Sequence, residues 1–310
     1  FDDDPLRMLR AARFASQLGF DVDLEVMEAM EQMAQRLEIV SAERIRAELE
    51  RLLLSPYPRR GLELLVHTGI CDIVLPEVSA LQDTVDEHRR HKDVYEHTLT
   101  VLQQAMDLET GPDGAVPGPD LRLRLAALMH DIGKPATRRF MPDGTVTFHA
   151  HDYVGARMTA KRMRALHFDK QTIKDVSRLV ELHLRFHGYA DSPWSDSAVR
   201  RYVADAGPLL ARLGCLTRAD VTTGNRRKAA MLSHAYDDLE RRIEALRQQE
   251  ELASIRPELD GQEIMAELGI KPGPEVGKAY KFLLDLRMER GPIGKELARE
   301  ALHSWWATQQ

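Results

Sequence analysis

The apolar residues of this chain fall in short runs spaced by charged positions, and most runs are framed by residues that start or stop helices. Asp4-Pro5 reads as a helix start, with Asp as N-cap and Pro at the first helical position. That helix, DPLRMLRAARFASQLGF, runs to Gly19, a natural C-terminal stop. Ser41-Ala42-Glu43-Arg44 opens a second helix through Leu54, and Ser55-Pro56-Tyr57-Pro58 breaks it. RGLELLVHTG predicts a further short helix ending at Gly69. LRLRLAALMHD is an otherwise apolar helix with a charged dyad, His130-Asp131, at its end. Between positions 135 and 149 the pattern changes. Met141-Pro142-Asp143-Gly144 is a turn flanked by Thr137-Arg138-Arg139-Phe140 and Thr145-Val146-Thr147-Phe148, which predicts a small hairpin or an extended loop. Residues 107–119 (DLETGPDGAVPGP) have the Gly and Pro content of a flexible loop.

The chain divides into three stretches. Residues 1–85 are a helical array, and residues 86–245 are helical and carry most of the histidines. Residues 246–310 are a tail: a charged helix, then LDGQEIMAELG and KPGPEVGKAYKFLLDLRMERG, then a last helix ending in Trp305-Trp306, expected to cap the tail's own core. Composition agrees with an all-α fold. Of 310 residues, 43% are hydrophobic and only 6% aromatic, which leads away from a sandwich or barrel. The net charge of −6 and pI near 6.1 mean that any nucleic-acid affinity must come from local basic patches. The two cysteines, Cys71 and Cys215, lie in apolar contexts and make no disulfide framework, which points to a reduced, cytoplasmic setting. No apolar run approaches the roughly 18 residues of a membrane span, and no signal peptide is apparent. The chain starts at Phe1 without Met, with helical material at once, and reads as a piece of a longer polypeptide.

The histidines carry the strongest chemical signal. In order they read Glu96-His97, His130-Asp131-Ile132-Gly133-Lys134-Pro135, His149-Ala150-His151-Asp152, then His183 and His187, and Arg218-Ala219-Asp220 follows. Imidazoles and carboxylates suit transition metals and Mg²⁺. His130 and Asp131 point about 100° apart on a helix, so other residues must close the shell around any ion they share. A lone histidine is ordinarily a surface or satisfied core residue. A charged dyad ending an apolar helix is different, because burying it without a partner costs several kcal/mol. His97 on the preceding helix and the distant Asp220 complete a set for one divalent ion.

The order H…HD…D, with HDIGKP as the dyad, resembles the HD superfamily of metal-dependent phosphohydrolases. The positions that match are His97, His130, Asp131 and Asp220. The resemblance implies an all-helical fold with one or two divalent ions, Ni²⁺, Mn²⁺ or Mg²⁺. It places His151 and His183 as ligands of a second ion, with Asp131 bridging. His149 and His187 are weaker candidates, and His91, His167 and His234 are expected to be solvated. Such ions lower the pKa of bound water and polarise a phosphoryl oxygen. Asp131 is then catalytic. Lys134 either neutralises developing phosphate charge or is a plain helix-end lysine.

The N-terminal segment FDDDPLRMLRAARF resembles the neck of class II CCA-adding tRNA nucleotidyltransferases and bacterial poly(A) polymerases. The matching residues are Asp3, Asp4, Arg7, Arg10, Arg13 and Phe14, with Arg44 and Glu48 as the next R-x-x-x-E motif. Asp3 stands where the family usually has Glu. The tail segment RPELDGQEIMAELGIKPGPEVGKAYKFLLDLRMERG also resembles that family's HD-bearing members. The chain then divides into a neck (1–85), an HD domain (86–245) and a helical tail (246–310), with tRNA, CTP and ATP as partners. Asp4 and Arg7, one turn apart, can read the Watson–Crick edges of C and A, a carboxylate accepting from an exocyclic amine and a guanidinium donating to ring acceptors. Arg10 and Arg13 continue the stripe at three-residue spacing and can meet triphosphate or tRNA backbone, and Arg44 extends the nucleotide site. Alternatively, Asp4 only caps the helix and the arginines are solvated. In the tail, Lys271, Lys278 and Lys281 around Gly273 and Gly277 suit an RNA backbone at a helix start, or else mark a turn between packed helices.

The family's catalytic head, a Gly-Ser loop followed by an Asp-x-Asp pair that binds Mg²⁺, has no counterpart here, so nucleotide transfer is not expected from this chain alone. Three readings compete: the neck, HD and tail part of a tRNA nucleotidyltransferase, a free-standing HD phosphohydrolase acting on nucleotides or cyclic phosphates, and an RNA-binding module with a merely structural HD site. The neck motif favours the first over the second, and the intact ligand set disfavours the third.

Overall fold

The computed structural model describes residues 1–82, 84, 94–192, 194–223, 225–250 and 255–309. Among these residues the fold is helical apart from one two-stranded hairpin, as an all-α reading requires. In chain order the elements are α1 (Leu6–Leu18), α2 (Leu24–Met33), a 3₁₀ segment (Ala34–Ile39), α3 (Ala42–Leu53), α4 (Pro58–His67), α5 (Ile70–Val74), α6 (Pro76–Ser79), α7 (Val94–Asp107), α8 (Leu121–Met129) and α9 (Lys134–Thr137). Strands β1 (Arg139–Phe140) and β2 (Val146–Thr147) follow, then α10 (His151–Ala165), α11 (Lys170–Leu182), α12 (His187–Asp191), α13 (Asp196–Ala206), a 3₁₀ turn (Gly207–Leu209), α14 (Leu210–Ala219), α15 (Arg226–Glu250), α16 (Gly261–Leu268), α17 (Pro274–Arg290) and α18 (Lys295–Ala307).

Two compact units divide these elements. One comprises Phe1–Phe186 with Leu209–Ala229, the other His187–Pro208 with Ala230–Gln310. The three expected stretches are therefore distributed differently: α14 belongs with the first unit although α12 and α13, which precede it, belong with the second. The boundary expected near residue 85 falls outside the described residues at 85–93, and residue 245 lies inside α15.

Within the first unit, α1 lies against α3 and α4 through Met8, Leu9 and Ala12, facing Leu49, Leu52, Leu62 and Leu65. The α1 start differs from expectation. Helical residues begin at Leu6, Pro5 occupies the cap position, and no side chain caps the helix. Its end is as expected, with Gly19 left-handed at φ 70°. The α8 helix is the centre of the histidine-bearing half. Every residue from Leu123 to Met129 is buried, as a helix apolar all round must be, and α7, α11, α14 and α3 surround it. Its one buried cation is Arg124, held by the Glu109 carboxylate at 2.7 Å twice and by the Leu53 and Ser55 carbonyls at 2.7 and 2.8 Å. Glu109 lies in the Gly/Pro-rich 107–119 segment, which is thereby tied to the core.

The segment after the dyad closes as a hairpin, with Arg139 opposite Thr147 and Phe140 opposite Val146. The second unit has its own core of Leu259, Ile264, Ala279, Leu283, Ala298 and Leu302. Trp305 packs on it, stacked on Phe282 with ring centroids 5.0 Å apart, the capping role expected of the C-terminal tryptophans.

Candidate metal centre and nucleotide-reading surface

The first unit brings six predicted side chains together. His97 comes from α7. His130 is the C-cap of α8, and Asp131 follows it. His151 is the first residue of α10, His183 the C-cap of α11, and Asp220 the C-cap of α14. Three helix C-termini thus converge, and each carries the partial negative charge that favours a cation.

The donor atoms form two sets, His97, His130 and Asp220 in one and Asp131, His151 and His183 in the other, with the atoms of each set within 4.8 Å of one another. His97 Nε2 lies 3.0 Å from Asp220 Oδ1 and 3.3 Å from His130 Nε2. Asp131 spans both sets. Its Oδ2 is 3.2 Å from His130 Nε2 and 3.5 Å from His97 Nε2, while its Oδ1 is 3.2 Å from His151 Nε2. Neighbouring ligands about 2.1 Å from one ion are themselves about 3.0–3.4 Å apart, so these spacings suit a shared cation.

Each imidazole is aimed by its other nitrogen. Nδ1 of His130, His151 and His183 lies 2.8, 2.8 and 2.6 Å from the carbonyl oxygens of Ala127, Phe148 and Val180. A carbonyl only accepts, so Nδ1 carries the proton and Nε2 faces the cluster, the arrangement by which metal-binding histidines are held. For His130 and His183 the accepting carbonyl belongs to the last turn of the same helix, so the ring also satisfies an orphan group of the helix end. His97 Nδ1 lies 3.1 Å from Thr222 Oγ1. Thr222 and the three carbonyls were not anticipated from sequence. Their signal there is positional: each carbonyl comes three residues before its histidine, and Thr222 two residues after Asp220.

The electrostatics call for positive charge. Burial opposes ionisation of both carboxylates, yet His130, Lys134 and His151 hold Asp131 well below the usual range, and His130 and His97 do the same for Asp220. Burial likewise disfavours a charged His130, but Asp131 and Asp220 outweigh it and push its pKa up to about 10. His183 is pulled down to about 4 by burial and by the neighbouring His130. The buried Asp131 Oδ2 and His151 Nε2 make no hydrogen bond, although Lys134 Nζ stands 2.8 Å from that oxygen. Two orphaned polar atoms in a buried cluster of carboxylates and aimed imidazoles fit divalent metal ions. Lys134 is buried, paired with Asp131 and within 5.6 Å of the Phe148 ring centroid. His149, His167, His187 and His234 are exposed, and His167 pairs with Glu43; His91 lies outside the described residues.

One close approach sets this geometry. A side chain at Gly133 would collide with the His151 carbonyl and come within 2.7 Å of Gly155 N. Glycine therefore lets the turn after the dyad lie against the start of α10, which brings His151 to Asp131.

The neck residues form a second charged array. Asp4 does not cap α1, contrary to that alternative. Its Oδ1 lies 3.1 Å from Arg44 Nη2 on α3, and its Oδ2 lies 3.7 Å from Arg10 Nη1, because two guanidiniums outcompete backbone amides for it. Glu48, only 4% exposed, faces Arg13 at 3.1 Å, Arg51 at 3.6 Å and Arg10 at 3.7 Å. The two sequence motifs thus meet as one network linking α1 and α3. Arg7 is exposed, with no ion pair among the described residues. In the second unit Lys271 and Lys281 are exposed, Lys278 pairs with Glu275 at 2.9 Å, and Gly273 caps α17 without a side-chain bond. The turn there joins α16 and α17, which pack on one core.

Comparison with known proteins places these features in a family. A family model described as the probable RNA and SrmB-binding site of polymerase A matches residues 19–81, and the HD domain model matches residues 94–225. The chain is 35% identical to an A-adding tRNA nucleotidyltransferase of Deinococcus radiodurans, over 99% of this chain and 69% of that protein. It is 36% identical to a CC-adding tRNA nucleotidyltransferase of Thermus thermophilus, over 97% of this chain and 67% of that protein. Among solved structures, a CCA-adding enzyme of Bacillus stearothermophilus in complex with CTP has the same fold, with a TM-score of 0.61 at 17% identity. The chain spans 63% of the length of that enzyme. On its relatives in sequence, which match it from end to end through both the neck and the HD residues, this chain belongs to the tRNA nucleotidyltransferase family.

Proposed function

We propose that this chain supplies the neck, HD domain and tail of an enzyme that adds nucleotides to the 3′ end of tRNA, and that its HD domain is a two-cation phosphohydrolase. The observation that carries the second half is Asp131: each of its oxygens faces a separate set of donors, His97, His130 and Asp220 on one side, His151 and His183 on the other. Divalent ions held there supply Lewis-acid polarisation of a phosphoryl oxygen and a more acidic water. The chain's own residues do the rest. The backbone-anchored imidazoles keep their orientation without reorganising, and Lys134 balances the Asp131 charge at the edge of the cluster. Asp131, and Lys134 beside it, form the catalytic pair.

In the neck, Asp4 and Arg7 read the incoming CTP or ATP, with Arg44 and Arg10 holding the Asp4 carboxylate in place and Arg13 fixed on Glu48. Mg²⁺ serves the transfer itself, through carboxylates that these 310 residues do not include in a Gly-Ser/Asp-x-Asp setting. The tail lysines Lys271, Lys278 and Lys281 contact the tRNA backbone. An enzyme of this kind works in the cytoplasm. The free-standing phosphohydrolase is disfavoured because the match to the relatives extends over 99% of the chain, including the neck network, which a phosphohydrolase does not need.

Elemental analysis tests the centre. The purified chain should hold divalent metal, and the double variant His130→Ala, Asp131→Ala should hold none; equal metal in both would remove the assignment. With Ni²⁺, Mn²⁺ or Mg²⁺ the chain should hydrolyse 2′,3′-cyclic nucleotides or simple phosphoesters, and Asp131→Asn should abolish that turnover.

A further inference from the structure

The hairpin between Lys134 and His151 has no part in the metal centre, yet both of its feet stand in it. At one foot, Lys134 pairs with Asp131 at 2.8 Å. At the other, the carbonyl of Phe148 accepts from His151 Nδ1 at 2.8 Å, and the Phe148 ring lies beneath Lys134 Nζ. From there the ribbon runs outward. Val146 and Phe148 are two residues apart and fall on one face of the extended chain, and Val146 is the cross-strand partner of Phe140. Phe140 therefore stands on the face that leads to the buried Phe148, displaced by about 7 Å along the strand at the rise of an extended chain.

Phe140 is 73% exposed and Met141 44% exposed, two adjacent apolar side chains at the tip that face solvent. Arg138, just before β1, lies over the Phe140 ring, 5.5 Å from its centroid, while Arg139, paired with Thr147, falls on the opposite face of the ribbon. The one acid of the ribbon, Asp143, is used by the turn, accepting from Thr145 N at 2.9 Å and Thr145 Oγ1 at 2.7 Å. The Phe140 face thus carries a solvent-facing aromatic ring with the Arg138 guanidinium over it, on the side of the ribbon that leads to Phe148 and Lys134. Aromatic rings beside arginines are the platform on which unstacked bases are held, the ring taking the base face and the cations the phosphates.

We propose that the β1–β2 hairpin is a nucleobase platform for the HD site, with Phe140 stacking on the base of a ribonucleotide, free or at an RNA 3′ end, whose phosphate lies at the Asp131 cluster. This rests on the phosphohydrolase reading and narrows it: the substrate class is nucleotides rather than phosphoesters in general. Phe140 is a specificity residue and does not touch the reacting atoms.

The test uses the whole chain with two readouts. In the first, a 2-aminopurine ribonucleoside 3′-monophosphate is titrated in the presence of Mg²⁺ or Mn²⁺. Its fluorescence should be quenched by the wild type and by Phe140→Trp, but not by Phe140→Ala. In the second, kcat/KM for a 2′,3′-cyclic nucleotide is divided by that for glycerol 2-phosphate. Phe140→Ala should lower this ratio about tenfold, through KM, and Phe140→Trp should restore it. Absence of quenching by the wild type, or a ratio unchanged by Phe140→Ala, overturns the platform. Failure of the wild type to hydrolyse either ester, with base quenching intact, sinks the phosphohydrolase reading and leaves the platform standing. Free and RNA-terminal nucleotides are separated by repeating the quench with the probe at the 3′ end of a short oligoribonucleotide.

Discussion

At the scale of single residues, Asp131 is only 1% exposed yet held ionised by His130, Lys134 and His151. Lys134 is the one permanent cation among these, which separates its roles. Removing the partner of a buried charge costs about 3–5 kcal/mol. The Lys134→Met variant should therefore melt roughly 6–20 °C below wild type in chelator, at about 2–4 °C per kcal/mol. Saturating Mn²⁺ should return most of that loss, because divalent charge at Asp131 takes over from the ammonium. Calorimetry with and without chelator checks this, and a metal-independent deficit would make Lys134 a packing residue instead. Four donor positions, His97, His130, Asp131 and Asp220, were readable because few side chains can serve as ligands and the dyad ends an apolar helix; His151 and His183 came from the family resemblance. The state of Asp4 was not readable. Its position before a proline suits a cap, and only the approach of Arg44, forty residues away, redirects the carboxylate.

At the scale of elements, the stops at Gly19 and Gly69, the start at Ser41 and the turn at 141–144 are local signals that packing did not override. Helix α2 was less visible, because the cap that starts it, Asp23, accepts from Glu25 N in a stretch with no Pro or Gly to frame its end. The dyad turn depends on Gly133 in a way no periodicity reports. Its backbone φ of −78° suits any residue, so the requirement is steric. Gly133→Ala should push the α10 start outward, at about 1–3 kcal/mol for overpacking. Because α10 carries His151 while His97, His130 and Asp220 lie on other helices, the variant should lose the metal held by the Asp131, His151 and His183 set and keep the rest. Elemental analysis should then give roughly half the wild-type content, whereas full retention would mean that the turn relaxes without moving His151.

At the scale of the whole molecule, chain order and spatial grouping part company. Residues 187–208 belong to one unit, yet the chain returns through α14 to deliver Asp220 to the other, ninety residues after the dyad. Hydrophobic periodicity describes each helix and says nothing of such a return; Asp220 was legible as a ligand type in the ordered series, and the resemblance matched it to the dyad. Global charge is similarly uninformative about partners, since the proposed tRNA binding by a net −6 chain has to run through particular cations. The structure sorts those cations. Arg13 is turned onto the buried Glu48, whereas Lys271 and Lys281 are exposed. tRNA affinity should fall steeply with salt, and a cation that contacts phosphate contributes roughly −0.7 to −0.9 to the log–log slope. Lys271→Ala or Lys281→Ala should reduce the slope by about that amount, and Arg13→Ala should barely change it. In the full-length enzyme, Asp4→Ala should relax the choice between CTP and ATP. Arg44→Ala should do the same, because Arg44 holds the Asp4 carboxylate. On the proposed base-reading role, Arg7→Ala should also relax the choice while leaving the salt slope intact. If instead Arg7→Ala flattens the slope and CTP/ATP selection is unchanged in all three variants, the α1–α3 network only braces the neck, and base reading must come from elsewhere.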